Sequence, residues 1–499
     1  SASSVTLIAL PLKFEAGDGS PCRVIALEAK KQAPMKFPVR DLGELMTSLP
    51  AQQSEERLDA AIQWALWDRY DLVIVLDDDP TGTQTVHNIP VLTELNEATL
   101  ANELARGSKF FYLLTNSRAY PAKEVAKKTE ALGKTIRAFC QSSNLKPLVI
   151  IRGDSTLRGH FDQEDLALAA GLGLSGHYPF LIPAFFEGGR YTINDVHYVQ
   201  EGQQLIPAAQ TPFAEDKTFG YSSSDLKEWV TEKASAIGQP TTPISISITN
   251  LRTKFPTALR DKIAGKQTDQ VCIINAADYT DLKRAALAIL RFAYKPLIRS
   301  SASFVAALLG QPQVPFLTFS RTSNRGALFL VGSHVPRTTA QVEHLLVNFP
   351  LAEYQIHVRS IVEDPSLYLS PAEYAEDVDR KIATGVDVVI YTSREFFAAP
   401  KGKKNLDISR LVSTFCLSII RELKVQPSLL VTKGGITSSD VATEALGVKR
   451  AVALGQVQPG VPTWELGPES KFPGMPFIIF PGNVGQEDSL SSILQNTLI

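Results

Sequence analysis

The sequence predicts an α/β protein of two α/β domains, each built on a mainly parallel sheet, with a cleft between them. Three observations predict it. Apolar runs of strand length recur, and each stops abruptly at small, polar or charged residues: DLVIVL before Asp77, FFYLL before Thr115, PLVII before Arg152, ALFLV before Gly332, DVVIY before Thr392 and SLLV before Thr432. Such continuous runs are how strands covered on both faces read, because neither face meets water. Helical patterns of ~10 to 20 residues lie between most of them, which is the grammar of βαβ units rather than of a sandwich. The 499 residues also exceed the ~250 to 300 at which a single core stops growing.

Residues 1–70 read as an N-terminal extension packed on the first domain, with SVTLIALPLKFE and CRVIALEA as two strands and SEERLDAAIQWALWDRY as an amphipathic helix. The first domain runs over 71–310. Between Lys295 and Arg325 the pattern weakens: SASFVAALLG reads as a short helix, and QPQVPFLTFSRTSNRG carries two prolines and little periodicity. The boundary falls there, and the second domain spans 325–499. No internal repeat of fixed period and no low-complexity tract interrupts this plan.

Composition narrows the partners. Lys plus Arg number 50 and Asp plus Glu 52, a net charge of −2 without a basic block, so neither nucleic acid nor an anionic membrane is an expected partner. The longest apolar runs fall short of the ~18 residues a membrane span needs, and no charged n-region precedes SVTLIALPL. Cys22, Cys140, Cys272 and Cys416 stand too far apart for a CxxC pair, so neither a zinc site nor a disulfide framework is indicated. A soluble protein of the reducing cytoplasm is the expectation. A homodimer is left open.

Two nucleotide-like motifs are decoys. Gly171, Gly173 and Gly176 spell GxGxxG, but they end the helical DQEDLALAA and precede the strand-like YPFLIPAFF, the reverse of a dinucleotide turn; a helix C-terminus explains them. Gly133-Lys134-Thr135 ends like a phosphate loop, but Lys128 stands where the earlier glycine is needed. The seven histidines show no HExxH spacing, and no GxSxG elbow exists.

The first half gathers acids and arginines at strand ends. Asp77, Asp78 and Asp79 end the first apolar run, and Thr81 and Gly82 follow. In open α/β sheets ligands bind beyond the carboxyl ends of strands, and three adjacent carboxylates repel unless a cation or a proton offsets them. A solvated acidic turn is the plain alternative. Arg118 follows the next run, and RGDSTLRGH places Arg152 and Arg158 around Ser155 and Thr156; EGGR adds a Gly188-Gly189 turn and Arg190. Planar guanidinium forks bind a carboxylate or phosphate bidentately, while the competing reading has the same arginines neutralising the acids. In the second half, Gly332-Ser333 precedes a helix carrying Thr338 and Thr339, Gly434-Gly435 precedes Thr437 and Ser438, and Gly482, Asn483 and Gly485 open a last helix. Singly these are ordinary turns. As a set they form a nucleotide cradle.

With these residues in view the chain resembles the four-carbon acid sugar kinase family, whose members phosphorylate C4 aldonic acids or their 3-oxo forms with ATP. The match spans roughly residues 72 to 495 in family order: DDxTG at Asp78, DSTLRG at Asp154, a GR-T block at Gly189, a GS loop at Gly332, a GG-T loop at Gly434, and a VPG-like plus GN-G ending. Arg152 stands where the family usually has lysine before DSTLRG, Ile436 replaces the glutamate of GGET, and FPGNVG replaces KSGNFG, which marks a divergent branch. The resemblance implies an N-terminal domain that binds the sugar acid through Asp78, Asp79, Arg118, Arg152, Ser155 and Arg158. It implies a C-terminal domain that binds ATP through Ser333, Gly434, Gly435, Thr437, Ser438, Gly482 and Gly485.

The expected reaction is in-line transfer of the γ-phosphoryl of ATP to a terminal hydroxyl, with arginines on the carboxylate, Asp78 or Asp79 on the hydroxyl, Mg²⁺ on the phosphates and domain closure excluding water. The sequence names no protein ligand for the metal. A catalytically silent sugar-acid sensor using the same arginines is the alternative, and a nicotinamide-dependent reductase lacks a correctly placed fingerprint.

Overall fold

Fifteen strands among the described residues form one sheet, and its edge positions the site. The computed structural model describes residues 5–11, 22–28, 37–53, 57–161, 163–239, 241–265, 270–312, 314–320, 324–332, 335–363, 369–393, 405–482 and 484–496. The chain divides into two units, Ser1–Phe37 and Pro38–Ile499. In the first, Val5–Pro11 pairs antiparallel with Cys22–Glu28. Of the stretch expected to be an extension, residues 38–69 belong to the larger unit: Arg40–Asp41 adds to a small antiparallel ribbon of Gln204–Pro207, Val196–Glu201 and Arg190–Ile193.

The large sheet comprises β1 (Leu72–Asp77), β2 (Ile89–Leu92), β3 (Phe110–Leu114), β4 (Pro147–Arg152), β5 (Tyr178–Ile182), β6 (Thr242–Ile246), β7 (Gln270–Ile274), β8 (Pro296–Ser300), β9 (Leu328–Val331), β10 (Ala352–Ile356), β11 (Val388–Thr392), β12 (Leu430–Lys433), β13 (Arg450–Gln458), β14 (Val461–Leu466) and β15 (Pro476–Phe480). Their order is β6-β7-β5-β8-β4-β1-β3-β2-β13-β14-β15-β12-β9-β11-β10. The first eight are parallel, the joints through β13 and β14 are antiparallel, and the last five, from β15 to β10, are parallel again. The fold is thus mixed α/β with a mostly parallel sheet. The two halves are stitched edge to edge through β2 and β13, where Ile89 to Leu92 pair with Ala453 to Arg450.

The helices that bear on the site are α1 (Leu58–Arg69), α2 (Ala122–Ser142), α3 (Gln163–Leu172), α4 (Tyr279–Phe292), α5 (Ala302–Leu309), α6 (Pro336–Asn348), α7 (Gly435–Asp440) and α8 (Ser489–Asn496). α1 buries Leu58, Ile62, Ala65 and Leu66 and packs on α4. The decoy glycines acquire a structural reason: a Cβ on Gly171 of α3 would stand 2.4 Å from the Glu130 carbonyl and 2.9 Å from Gly133 Cα of α2, so both are glycine because two helix backbones meet there. Gly173, at φ +68°, ends α3. The apolar faces of strands and helices on both sides of the sheet make the core. No helix among the described residues is long and apolar enough to cross a membrane.

Candidate active site

Strand register assembles the acids and arginines. β1 lies between β4 and β3, all six of its residues buried, with Asp77 opposite Arg152 on one side and Leu114 on the other. Ser300 at the end of β8 pairs with Arg152. Everything that follows these four strand ends therefore shares one edge. Asn116 adopts a left-handed φ of 50° in the turn after β3 and swings Arg118 back over β1.

Arg118 is the hub of this edge. Its Nε lies 3.1 Å from Asp78 Oδ2, its Nη2 2.9 Å from Asp79 Oδ2 and its Nη1 3.8 Å from Asp154 Oδ1. Arg152 Nη1 sits 3.4 Å from Asp77 Oδ1 and 3.3 Å from Asp78 Oδ1. Arg158 Nε donates to Asp154 Oδ2 at 2.7 Å and to Thr156 Oγ1 at 3.1 Å. The Thr156 hydroxyl donates to Asp154 as well.

Burial and charge then divide the carboxyls. Burial pushes Asp77 up to about 8 against the pull of Arg152. It pushes Asp78 up to about 6 against Arg118 and Arg152. For Asp79 burial acts in the same direction, but Arg118 and the Thr81 hydrogen bonds outweigh it and hold the group below the usual carboxylate range; Arg158 and Arg118 do the same for Asp154. With burial pushing Asp77 toward its neutral form, Asp78, Asp79 and Asp154 are the acids left facing Arg118, Arg152 and Arg158, and Asp216 lies 4.0 Å from Arg158 Nη1 as well.

Arg190 is left over. It makes no ion pair among the described residues, and its buried Nε has no hydrogen-bond partner. Burial and the neighbouring cations Arg158 and Arg337 lower its pKa, opposed by Asp154. Arg158 and Arg190 lie over the Phe213 ring, 5.2 and 5.7 Å from its centroid. Arg152 Nε, Ser117 Oγ and Ser300 Oγ along the same edge are also buried without hydrogen-bond partners. Buried polar atoms are rarely left so, and a polar ligand is one way of satisfying them.

The DSTLRG loop is held from behind by residues that sequence reasoning passed over. His197 Nε2 donates to the Ser155 carbonyl at 2.7 Å, and its Nδ1 accepts from Thr192 Oγ1 at 2.9 Å. Burial lowers the imidazole to about 4, so it stays neutral in this bridge. The Tyr221 hydroxyl donates to the Thr156 carbonyl at 3.0 Å. Leu157 is forced to φ +68° between them, the kind of local strain that surrounding structure must hold in place. The available signal was a polar His197 inside the strand-like VHYVQE.

In the second half three loops converge. Gly434, at φ +121°, follows β12, and α7 begins at Gly435 itself rather than after Ser438. Ser438 turns inward: its hydroxyl donates to the Gly434 carbonyl at 2.8 Å and accepts from Thr432 Oγ1 at 2.8 Å. A Cβ on Gly332 would stand 2.4 Å from Thr437 Oγ1. Thr338 Oγ1 of α6 donates to the Gly482 carbonyl at 3.2 Å, and Gln341 Nε2 to the carbonyls of Val484 and Gln486 at 3.2 and 2.8 Å. Gly485 has φ +90°, and α8 starts only at Ser489. Ser333 and Asn483 lie outside the described residues.

The two sets touch. An ideal Cβ on Gly435 would stand 2.3 Å from Asp79 Oδ2, so the acidic turn of the first half presses on the glycine loop of the second. Trp464 Nε1 donates to Thr83 Oγ1 at 2.9 Å, and Gln84 Nε2 to the Gly460 carbonyl at 2.9 Å. Gly82 is equally constrained, since its Cβ would meet Asp77 Oδ2 at 2.0 Å. Among the described residues no group of three His, Cys, Asp or Glu is arranged to hold a metal ion. A cavity of about 1030 Å³ does open at the other edge of the sheet, lined by Pro147 and Pro296 at the strand starts and by Arg69 and Arg291 in the last turns of α1 and α4. Its cations fit helix-dipole pairing, and Arg69 Nη1 donates to the Leu290 carbonyl at 2.7 Å.

Comparison with known proteins agrees with this division. Residues 73–308 match the model of a sugar-binding N-terminal domain, and residues 328–490 that of a nucleotide-binding C-terminal domain. Haemophilus influenzae protein HI1011, of the DUF1537 family, has a similar fold with a TM-score of 0.58 at 17% identity, over 85% of this chain and 99% of that one. A Salmonella typhimurium LT2 protein that goes under a provisional tRNA-synthase name gives a TM-score of 0.61 at 16% identity, over 86% of this chain and 100% of that one. Comparison with curated proteins finds no match.

Proposed function

The chain belongs to the four-carbon acid sugar kinase family, and from that premise we propose that it transfers the γ-phosphoryl of ATP to the terminal hydroxyl of a small sugar acid, a tetronate or 3-oxo-tetronate of about four carbons. The observation that carries the reading is the contact of Asp79 with Gly435: an acid of the sugar-binding half abuts the glycine loop of the nucleotide-binding half, so a hydroxyl held by the first would meet a phosphate held by the second. Phosphoryl transfer asks the protein mainly for such positioning and for charge stabilisation.

The division of roles follows from the charge balance. Arg190, which no acid neutralises, takes the substrate carboxylate with Arg158 beside it, while Arg118 and Arg152 hold the acids in place; Ser155 and Thr156 line the same loop. Asp79 orients the reacting hydroxyl, and Asp78, raised to about 6, is tuned to accept a proton near neutral pH. The loops around Gly332, Gly434-Gly435 and Gly482 to Gly485 cradle the nucleotide. Mg²⁺ bound with the nucleotide would supply neutralisation of its phosphate charge.

The test is a screen of C3 to C6 sugar acids with ATP and Mg²⁺ by ADP release. Turnover confined to acids of about four carbons supports the reading. Saturable sugar-acid binding without any ADP release supports the silent-sensor alternative instead.

A further inference from the structure

We propose that Lys433 is a positioning residue for the nucleotide: its buried amine ties Pro481 and Val484 to the Gly434-Gly435 loop and presents a positive charge beneath the phosphates. The inference rests on the nucleotide reading above. Lys433 is the last residue of β12, paired with Phe480 of β15 on one side and Val331 of β9 on the other, and its exposure is 0%. Its Nζ donates to the Pro481 carbonyl at 3.0 Å and the Val484 carbonyl at 3.4 Å, and lies 3.8 Å from the Phe480 ring centroid. A single side chain thus ties together the two loops that the sequence separates by some fifty positions.

No carboxylate lies within ion-pair distance of this amine among the described residues. A buried cation without a counter-ion is expensive, and a methionine would fill the same space without that expense. An anion drawn to the loops above it removes the imbalance. The charged group acting on Lys433 is Arg337, in the first turn of α6; His344 lies further along α6 against Ser491. Asp79 stands against Gly435, and Asp440 ends α7. β9 and β15 carry no titratable side chain. Burial, with Arg337 adding, lowers the amine to about 7, so the charge is present below neutrality and fades above it.

The experiment is calorimetric titration of the full chain with ADP from pH 6 to 8.5, for the wild type, Lys433→Met and Lys433→Gln. Wild-type affinity is expected to fall as pH rises above neutrality, by up to about tenfold per pH unit for one linked proton. Lys433→Met should bind at least tenfold more weakly at pH 6 and lose the part of the slope that ADP's own ionisation does not explain. Lys433→Gln, which keeps a donor for the carbonyls, should lose the slope with a smaller loss of affinity. If Lys433→Met fails to fold, the Gln variant and the wild-type slope decide. Variants that bind ADP as the wild type does, with the same slope, overturn the role of Lys433 alone; a wild type that binds no ADP at any pH overturns the nucleotide reading and this inference together.

Discussion

Replacing Gly435 with alanine tests the junction between the two halves. The added Cβ would lie 2.3 Å from Asp79 Oδ2, 3.1 Å from its Cγ and 3.2 Å from Oδ1, so the carboxylate must withdraw by roughly 1 Å to reach ordinary contact distance. It is not a free chain end. Arg118 Nη2 holds Oδ2 at 2.9 Å, and the Thr81 amide holds Oδ1 at 2.8 Å. Withdrawal sacrifices about one hydrogen bond to a charged group, about 1.5 to 3 kcal/mol of stability. It also displaces the hydroxyl-orienting acid by a distance that costs on the order of 10²-fold in turnover. Denaturant unfolding reads the first effect and steady-state ADP release the second. In an Asp79→Ala background the clash is gone, so Gly435→Ala should become nearly neutral for stability, a coupling of about 1.5 to 3 kcal/mol in the double-mutant cycle. Additive stabilities, or a Gly435→Ala enzyme with wild-type turnover and stability, would refute the contact and with it the argument that the two sites adjoin.

Further outcomes follow from the charge arrangement. Arg190→Lys should raise KM for the sugar acid about tenfold or more while ADP affinity is unchanged, because a point charge replaces a fork; equal loss of both ligands would make Arg190 structural, and the same comparison with Arg158→Lys shows whether that residue binds substrate or merely braces Asp154. Asp79→Asn should lower kcat by ~10² to 10⁴ with little change in KM for ATP. The acid limb of the pH profile then separates the two acids: a limb near 6 identifies Asp78 as the proton acceptor, whereas activity that persists below the ordinary carboxylate range identifies Asp79. Asp77, pushed up to about 8, binds a proton in the folded state that the unfolded chain has already released, so it weakens the fold progressively as pH rises from about 4 to about 8. The melting temperature of Asp77→Asn should accordingly gain on the wild type between pH 5 and 8, and a constant difference would show that Asp77 is ionised throughout.

The strands and their polar ends were legible because burial on both faces demands unbroken apolar runs, and β1, β3, β4, β9, β11 and β12 all have them. The partners of each arginine were not. That Arg152 faces Asp77 depends on register between strands some seventy residues apart, and Arg118 reaches Asp79 only through the left-handed turn at Asn116. The neutralising reading describes Arg118 and Arg152, which are spent on the acids, whereas Arg190 makes no ion pair among the described residues. The joint between the halves was equally hidden. β2 is only Ile89 to Leu92 and includes a proline, and β13 alternates buried and half-buried residues in a sequence, RAVALGQVQ, whose outward positions mix Val452 and Leu454 with Arg450, Gln456 and Gln458. Lys433 sat in plain view in TKGG, but only its contacts with Phe480, Pro481 and Val484 show that its amine is buried against the turn after β15.

That joint bears on how water is kept from the reaction. A hinged cleft was expected to close over the substrate, yet the halves share main-chain pairing through β2 and β13. Arg450 on β13 is also locked to the buried Glu103, at 2.8 and 3.0 Å, and Trp464 to Thr83. A rigid-body rotation large enough to open and close the site would have to break these together, including a charge pair whose acid has no access to solvent. The joint is therefore scaffold, and it holds Asp79 against Gly435. Adjustment is left to segments outside the sheet: the DSTLRG loop, braced by His197, Tyr221 and the Arg118 contact with Asp154, and the turn after β15, braced by Lys433, Thr338 and Gln341. On the kinase reading proposed above, Asp79 and the Gly434-Gly435 loop are fixed in advance and the ligands are fitted by loops, so substitutions at the braces should alter ligand affinity while those at the Asp79 and Gly435 contact alter turnover.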